Sequence, residues 1–294
     1  MTVYNFGSIN IDLIYRVPHL VKPGETLSSR SMDSVLGGKG ANQSVAVARA
    51  GTSVKHVGRI GGSDQWAVKQ MADLGVDVSL VEVIEGPSGH AIIQVDDAGE
   101  NSIILHGGAN QSFSRDVLEN HLANTNEADW LLIQNECNNL AEAFDIAIAK
   151  GMRIAFNPAP MTVDVRDLPL HKCDVLIVNE TEAELLSGLT DPDAVLVELA
   201  KRYPQTQLVM TLGSKGALLQ SESQVYRRDA MSVEVVDTTG AGDTFVGYFL
   251  ASLIDGLDHE ACLHRACAAA ALSVTKAGAT PSIPAAAEVE ALLK

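Results

Sequence analysis

The chain has 294 residues, 46% of them apolar, 20% charged and only 4% aromatic, with a formal net charge of −16 at pH 7. That supports one large domain, or one with a small appendage, and tightly packed helices on a sheet rather than a β-sandwich. Diffuse acidity argues against nonspecific nucleic-acid or anionic-membrane binding, so an anionic ligand would need positive potential supplied locally by loops, helix starts or a metal.

Val3–Ile9 reads as a short strand, and Asn10 and Asp12 follow it. An Asn-x-Asp pair serves as a turn or cap, or offers an amide and a carboxylate to vicinal hydroxyls. Asp12–Val17 and Thr26–Val35 look extended, broken at Pro23-Gly24. The run Gly37-Gly38-Lys39-Gly40-Ala41-Asn42 precedes a helix over Asn42–Ala50. It is either a flexible turn or a ligand loop. In a ligand loop Gly38 allows close backbone approach, and Lys39 and Asn42 donate to a polyol. Val54–Ile60 is a strand and Ala67–Leu74 a helix stopped at Gly75. His90–Val95 and Ser102–His106 flank a turn over residues 96–101 and form a hairpin. Apolar residues at consecutive positions, 91–93 and 103–105, mean that both hairpin faces want cover. One face could close over a substrate and the other meet a second subunit.

From residue 130 the alternation is regular. Strands over Trp130–Ile133, Arg153–Phe156, Val175–Val178 and Leu208–Thr211 are separated by helices over Leu140–Lys150, Thr181–Leu186 and Asp193–Tyr203. Such alternation implies βαβ units, a mainly parallel sheet covered on both faces, and a site at the carboxyl ends of its strands. Two strand ends carry polar motifs. Asn179 to Glu182 is either a helix cap or a water-mediated Mg²⁺ site. Thr211 to Gly216 is either a tight glycine-rich turn or a clasp for a nucleotide base or ribose through backbone contacts.

The most informative segment is Val235 to Phe245, where an extended run turns into an apolar helix through Gly240-Ala241-Gly242-Asp243. Bare amides at a helix start favour an anion, and Asp243 sets a base beside it. The alternative is a plain helix start with an acid against the dipole. An Ala-rich helix over Asp258–Lys276 and a final helix after Pro284 complete the chain. There is no G-x-x-x-x-G-K-S/T loop, no dinucleotide fingerprint, no G-x-S-x-G and no zinc spacing among the histidines. Cys137, Cys173, Cys262 and Cys267 form no C-x-x-C pair, which fits a reduced, intracellular setting. No apolar run approaches the roughly 20 residues that span a bilayer. The N-terminus enters a strand pattern without a charged leader, and a cytoplasmic location is expected.

The ordered set G-S-I-N-I-D, G-G-K-G-A-N-Q, N-E-T-E-A-E, T-L-G-S-K-G and D-T-T-G-A-G-D-T-F resembles the ribokinase-like (PfkB) carbohydrate kinase family over residues 3–284. The resemblance implies a three-layer α/β/α fold with a mainly parallel central sheet. The core would be residues 1–11, 36–85 and 108–294, and a small β lid residues 12–35 and 86–107. It implies transfer of the γ-phosphoryl of ATP to a primary sugar hydroxyl, D-ribose to D-ribose 5-phosphate. Asp243 would be the base and Gly240, Ala241 and Gly242 the anion hole. Asn10, Asp12, Gly38, Lys39, Asn42 and Glu136 would hold the sugar, and Asn179, Thr211, Gly213, Ser214, Gly216 and Gly242 the nucleotide. Glu182 would organise Mg²⁺ indirectly. Asp237, Thr239, Ser273, Lys276, Gly278 and Ser282 would hold K⁺, and the lid would pair two subunits into a homodimer. The rivals are a kinase of 2-keto-3-deoxygluconate, fructose or a nucleoside, and a catalytically silent sugar or nucleotide sensor. An acidic sugar would want a dedicated Arg, and adenosine an aromatic beside the sugar site. The run Gln134 to Asn138 is unusually polar for the family.

Overall fold

The computed structural model describes residues 1–222 and 224–294. In chain order the strands and helices are β1 (Val3–Phe6), β2 (Asn10–Arg16), β3 (Ser31–Gly37), α1 (Lys39–Arg49), β4 (Val54–Gly61), α2 (Gln65–Asp73), β5 (Asp77–Ile84), β6 (Gly89–Val95) and β7 (Asn101–His106). They continue as α3 (Arg115–His121), β8 (Trp130–Gln134), α4 (Leu140–Ala149), β9 (Arg153–Asn157), β10 (Val175–Asn179), α5 (Glu180–Ser187) and α6 (Pro192–Arg202). The last are β11 (Gln207–Thr211), β12 (Ala217–Ser221), β13 (Gln224–Arg228), α7 (Ala241–Ile254), α8 (His259–Ser273) and α9 (Ala286–Leu292).

Nine strands form one sheet in the order β13-β12-β11-β10-β9-β8-β1-β4-β5. Every pair from β11 to β5 is parallel, and β12 and β13 add an antiparallel edge. The central strands are continuously apolar because each residue has a helix layer to face. In β8, Trp130 and Leu132 join the core under α1, α7 and α8, while Leu131 and Ile133 join the core under α3 to α6. Asp191 and Asp258 cap α6 and α8 by accepting from Ala194 N and Ala261 N.

The sheet edges differ from the sequence reading. β5, β12 and β13 have no long apolar run, because β5 and β13 are edge strands with partly exposed side chains. They earn their hydrogen bonds from neighbours that sequence cannot supply. Helix α1 starts at Lys39 rather than Asn42. Gly38, with φ 91°, occupies a left-handed turn before it, and an added Cβ would stand 2.8 Å from the backbone N of Asn10. Of the extended stretch expected over Thr26–Val35, the strand begins only at Ser31.

A second sheet, β3-β2-β6-β7, stands apart from the first. β2 runs parallel to β6 and antiparallel to β3, and β7 closes the expected hairpin with Ile92 opposite Ile104 and Ile93 opposite Ile103. β2 leaves the end of β1 after three residues, so the two sheets meet where the parallel strands end.

Candidate active site

The start of α1 is tied to two strand ends. Its first three amides, which no helical carbonyl can satisfy, donate outward. Lys39 N donates to Glu136 Oε2 (3.0 Å), Gly40 N to Ser8 Oγ (3.2 Å) and Ala41 N to the Ser8 carbonyl (2.8 Å). Ser8 Oγ also donates to Glu136. Glu136, just past β8, therefore sits at the positive end of the helix. Within the run Gln134 to Asn138, Glu136 is the residue that contacts this helix start directly. Gln134 is buried, Asn135 donates to Pro160 O and Thr162, and Asn138 exchanges hydrogen bonds with Phe113.

Helix α7 is capped by Gly240, in a left-handed conformation with φ 75°. The Ala241 amide closes a turn on Thr238 O (3.2 Å). The Gly242 and Asp243 amides, with no carbonyl one turn behind them, point out of the helix end. Asp243 is 7% exposed and its two oxygens are held separately. Asn42 Nδ2 donates to Oδ2 (3.1 Å) and Gln43 Nε2 to Oδ1 (2.9 Å). Thr280 Oγ1 donates to Asn42 Oδ1 (2.7 Å) and fixes that amide.

Around this pair the structure gathers Lys39, Glu136 and Glu182. The charge of Asp243, partly offset by burial, raises the Lys39 ammonium, with help from Glu136 and Glu182. Burial pushes the Glu136 and Glu182 carboxyls up. On β2, burial and then Glu136 push Asp12 up to about 6. Asn10, also on β2, accepts from Asn110 Nδ2 (2.7 Å). One ammonium among four carboxylates leaves a negative centre beside a helix start with outward-facing amides. An anion could enter such a centre only with a compensating cation.

A cavity of about 590 Å³ opens on the other side of the α7 start. Its lining includes Thr211, Gly213, Ser214, Gly216, Ala241 and Gly242, with Val235, Phe245 and Cys267 among its apolar walls. Asn179 is not part of that lining. It is exposed, and its side chain accepts from Glu182 N (2.8 Å) while Glu182 Oε2 accepts from Asn179 N (2.9 Å). These two residues thus form the helix cap that was one of the two readings of the motif.

Behind the α7 start, Asp237 ties two loops together. It accepts from Thr239 N (2.9 Å) and Thr239 Oγ1 (2.6 Å) on one oxygen and from Gly278 N (2.8 Å) on the other. Burial pushes its carboxyl up, but these hydrogen bonds and the charge of Arg16 outweigh burial and hold it below the ordinary range. Ser273 and Ser282 are fully buried, with their hydroxyls donated to Ala270 O and Ala279 O. The Lys276 ammonium pairs with Glu288 away from the loop.

The sequence model of the pfkB family carbohydrate kinases matches residues 2–286. The chain belongs to this family. Ribokinase of Haemophilus influenzae is 37% identical to this pfkB chain over 292 residues, 96% of the chain and 95% of the relative. Ribokinase of Arabidopsis thaliana, solved with ribose and ATP, superimposes with a TM-score of 0.88 at 32% identity, covering 99% of this chain and 98% of that one. Ribokinase of Cryptococcus neoformans, solved with ADP, gives 0.87 at 33% identity, covering 99% of each chain.

Several residues of this pfkB site escaped the sequence reading. Gln43 is next to Asn42 in the glycine-rich motif, within the polar run Asn42-Gln43-Ser44 of α1, which gave it no signal of its own. Ser8 lies within the G-S-I-N-I-D motif but was not singled out there, and Asn110, Asn157 and Thr280 come from three other segments that no local pattern marks.

Proposed function

We propose that the protein is an ATP-dependent sugar kinase converting D-ribose to D-ribose 5-phosphate. One observation carries this reading: a buried carboxylate, Asp243, stands at a helix start that lines a nucleotide-sized cavity on one side and meets Lys39 and Glu136 on the other. Likeness to ribokinases over the full chain supports ribose as the sugar.

In this proposal the sugar hydroxyls are held by Asn10, Asp12, Gly38, Lys39, Asn42 and Glu136. The nucleotide occupies the cavity against Thr211, Gly213, Ser214, Gly216 and Gly242. Asp243 takes the proton of the primary hydroxyl. The hydroxyl oxygen bonds to the γ-phosphorus as the bond to the bridging β-oxygen breaks, leaving ADP. The helix-start amides receive charge that develops on the transferring group, with the free Gly242 amide contributing more than the engaged Ala241 amide. The four-stranded sheet acts as a lid over the sugar and excludes water, so the hydroxyl is favoured over hydrolysis. The lid comprises residues 12–35 and 86–107.

Among the described residues no group of three or more His, Cys, Asp or Glu forms a metal cluster. Mg²⁺ would be carried on phosphate oxygens and waters near the buried Glu182, where it would neutralise phosphate charge. An all-oxygen set fits K⁺ at the Asp237 loop. The Asp237 and Thr239 side chains and the carbonyls at residues 273, 276, 278 and 282 would hold it. A cytoplasmic setting agrees with four buried, free cysteines.

The test is coupled ADP release with Mg²⁺ and a panel of D-ribose, 2-deoxyribose, fructose and adenosine. Turnover should be highest with D-ribose and should drop when K⁺ is replaced by Na⁺. A different preferred sugar would overturn the substrate, and indifference to the cation would overturn the K⁺ site.

A further inference from the structure

We infer that Gln43 is a positioning residue for phosphoryl transfer, fixing the Asp243 carboxylate through a chain of buried amides whose direction two backbone carbonyls set. This rests on Asp243 being the base. Gln43, Asn5, Gln134 and Asn157 are 0%, 0%, 1% and 7% exposed. Buried amides are costly to leave unpaired, so their arrangement is informative. Of this chain, Gln134 Oε1 has no partner among the described residues, and both Gln134 hydrogens are used.

The orientation of each amide follows from its neighbours. A carbonyl can only accept, so the Asn5 nitrogen must face Gly40 O (2.8 Å). Its second hydrogen goes to Ser44 Oγ (2.8 Å). Asn5 Oδ1 is then turned to Gln134 Nε2 (2.9 Å), and the other Gln134 hydrogen goes to Gln43 Oε1 (2.7 Å). At the far end Asn157 Nδ2 donates to Ile177 O (3.0 Å), which turns Asn157 Oδ1 toward Gln43 Nε2 (3.0 Å). Gln43 is left with one remaining hydrogen, and it points at Asp243 Oδ1 (2.9 Å). Reversing Gln43 alone would set its oxygen against Asp243 and Asn157 and its nitrogen against Gln134. Both directions of the chain therefore deliver a donor, never an acceptor, to Asp243.

The consequence is geometric. Asn42 already holds Oδ2 from a neighbouring position on α1, and one donor leaves the carboxylate free to rotate about that contact. A second donor on Oδ1 removes the rotation and leaves the remaining lone pairs aimed at one place. Positioning of this kind is felt in turnover more than in ground-state binding.

Full-length protein carrying Gln43→Met, which keeps length and loses both donors, is compared with Asp243→Asn and the double variant. D-ribose and ATP are varied, and thermal unfolding checks that each variant is folded. Gln43→Met should lower kcat roughly 10–100-fold, the range of a lost hydrogen bond to a charged group, with KM for both substrates within about threefold. The double variant should be no slower than Asp243→Asn alone, because Gln43 acts through that carboxylate. Parental kcat in Gln43→Met, or losses that multiply in the double variant, would overturn the assignment. Near-parental turnover in Asp243→Asn would instead remove the base itself, a separate result. If Gln43→Met does not fold, Gln43→Leu carries the comparison. It is close in size and offers Asp243 no donor, so parental kcat there overturns the assignment equally.

Discussion

Asp12 is a residue whose location conflicts with its charge. Burial and the nearby Glu136 push its carboxyl from an ordinary 3.8 to about 6. Between those values the folded protein retains a proton that the unfolded chain has released. The contribution of Asp12 to stability is complete below about 4 and is lost as pH rises through about 6. Asp12→Asn should therefore stabilise the ligand-free protein at pH 8 by on the order of 1–2 kcal/mol, and much less at pH 4.5. Thermal unfolding at the two pH values measures this, and an equal shift at both would refute it. The same substitution should weaken sugar binding, since an acceptor for hydroxyls is lost. A half-buried carboxylate kept against stability is what a ligand site demands. The sequence marked Asp12 as a candidate only through Asn-x-Asp. Its conflict with Glu136 needed β2 and the end of β8 to be placed side by side.

At the scale of elements, the site depends on how closely α1 and α7 approach. Gly247 lies buried in the middle of α7, and a Cβ there would stand 2.3 Å from Ala46 Cβ and 2.8 Å from Val47 N on α1. Glycine lowers helix propensity by about 1 kcal/mol relative to alanine, but forcing atoms into a filled contact costs about 1–3 kcal/mol. Overpacking wins, so Gly247→Ala should destabilise the protein although it improves the helix. Because the same helix pair carries Asn42, Gln43 and Asp243, kcat should fall together with stability. Denaturant unfolding and steady-state turnover check both, and a more stable, fully active variant would contradict the argument. Both helices were read from sequence as apolar segments after glycine-rich turns. Their contact was not, because a glycine inside a helix marks only that something comes near, not what.

At the scale of the whole molecule, β7 is an edge strand of the smaller sheet and is exposed along its length. Ile103, Ile104 and Leu105 are 52%, 61% and 61% exposed. An apolar strand edge is a template for another chain, and we propose that a second copy covers it. Ile104 lies opposite Ile92, on the other face from Asp12 and Ala91, by the alternation of β2, β6 and β7. Ile104→Lys should convert a dimer to a monomer, read by light scattering after gel filtration, without touching the sugar-facing side. A monomeric parent protein, or a dimer that survives the charge, would exclude this interface.

Local chemistry explains what could be read in advance. Apolar strands covered on both faces, helix stops at glycine, the turn between β6 and β7 and the glycine-rich helix start at Asp243 are dictated within a dozen residues, and sequence alone determined them. The order of five such motifs determined the family. Sequence also offered two readings of Asn179 to Glu182, and only the folded chain showed the helix-cap hydrogen bonds. Tertiary structure alone placed Ser8, Asn110, Asn157 and Thr280 around the centre, and gave Gln43 its direction. These residues are polar, buried and far apart in sequence. Each is held by a partner that the chain brings near only by folding, so no window of sequence contains the reason for it.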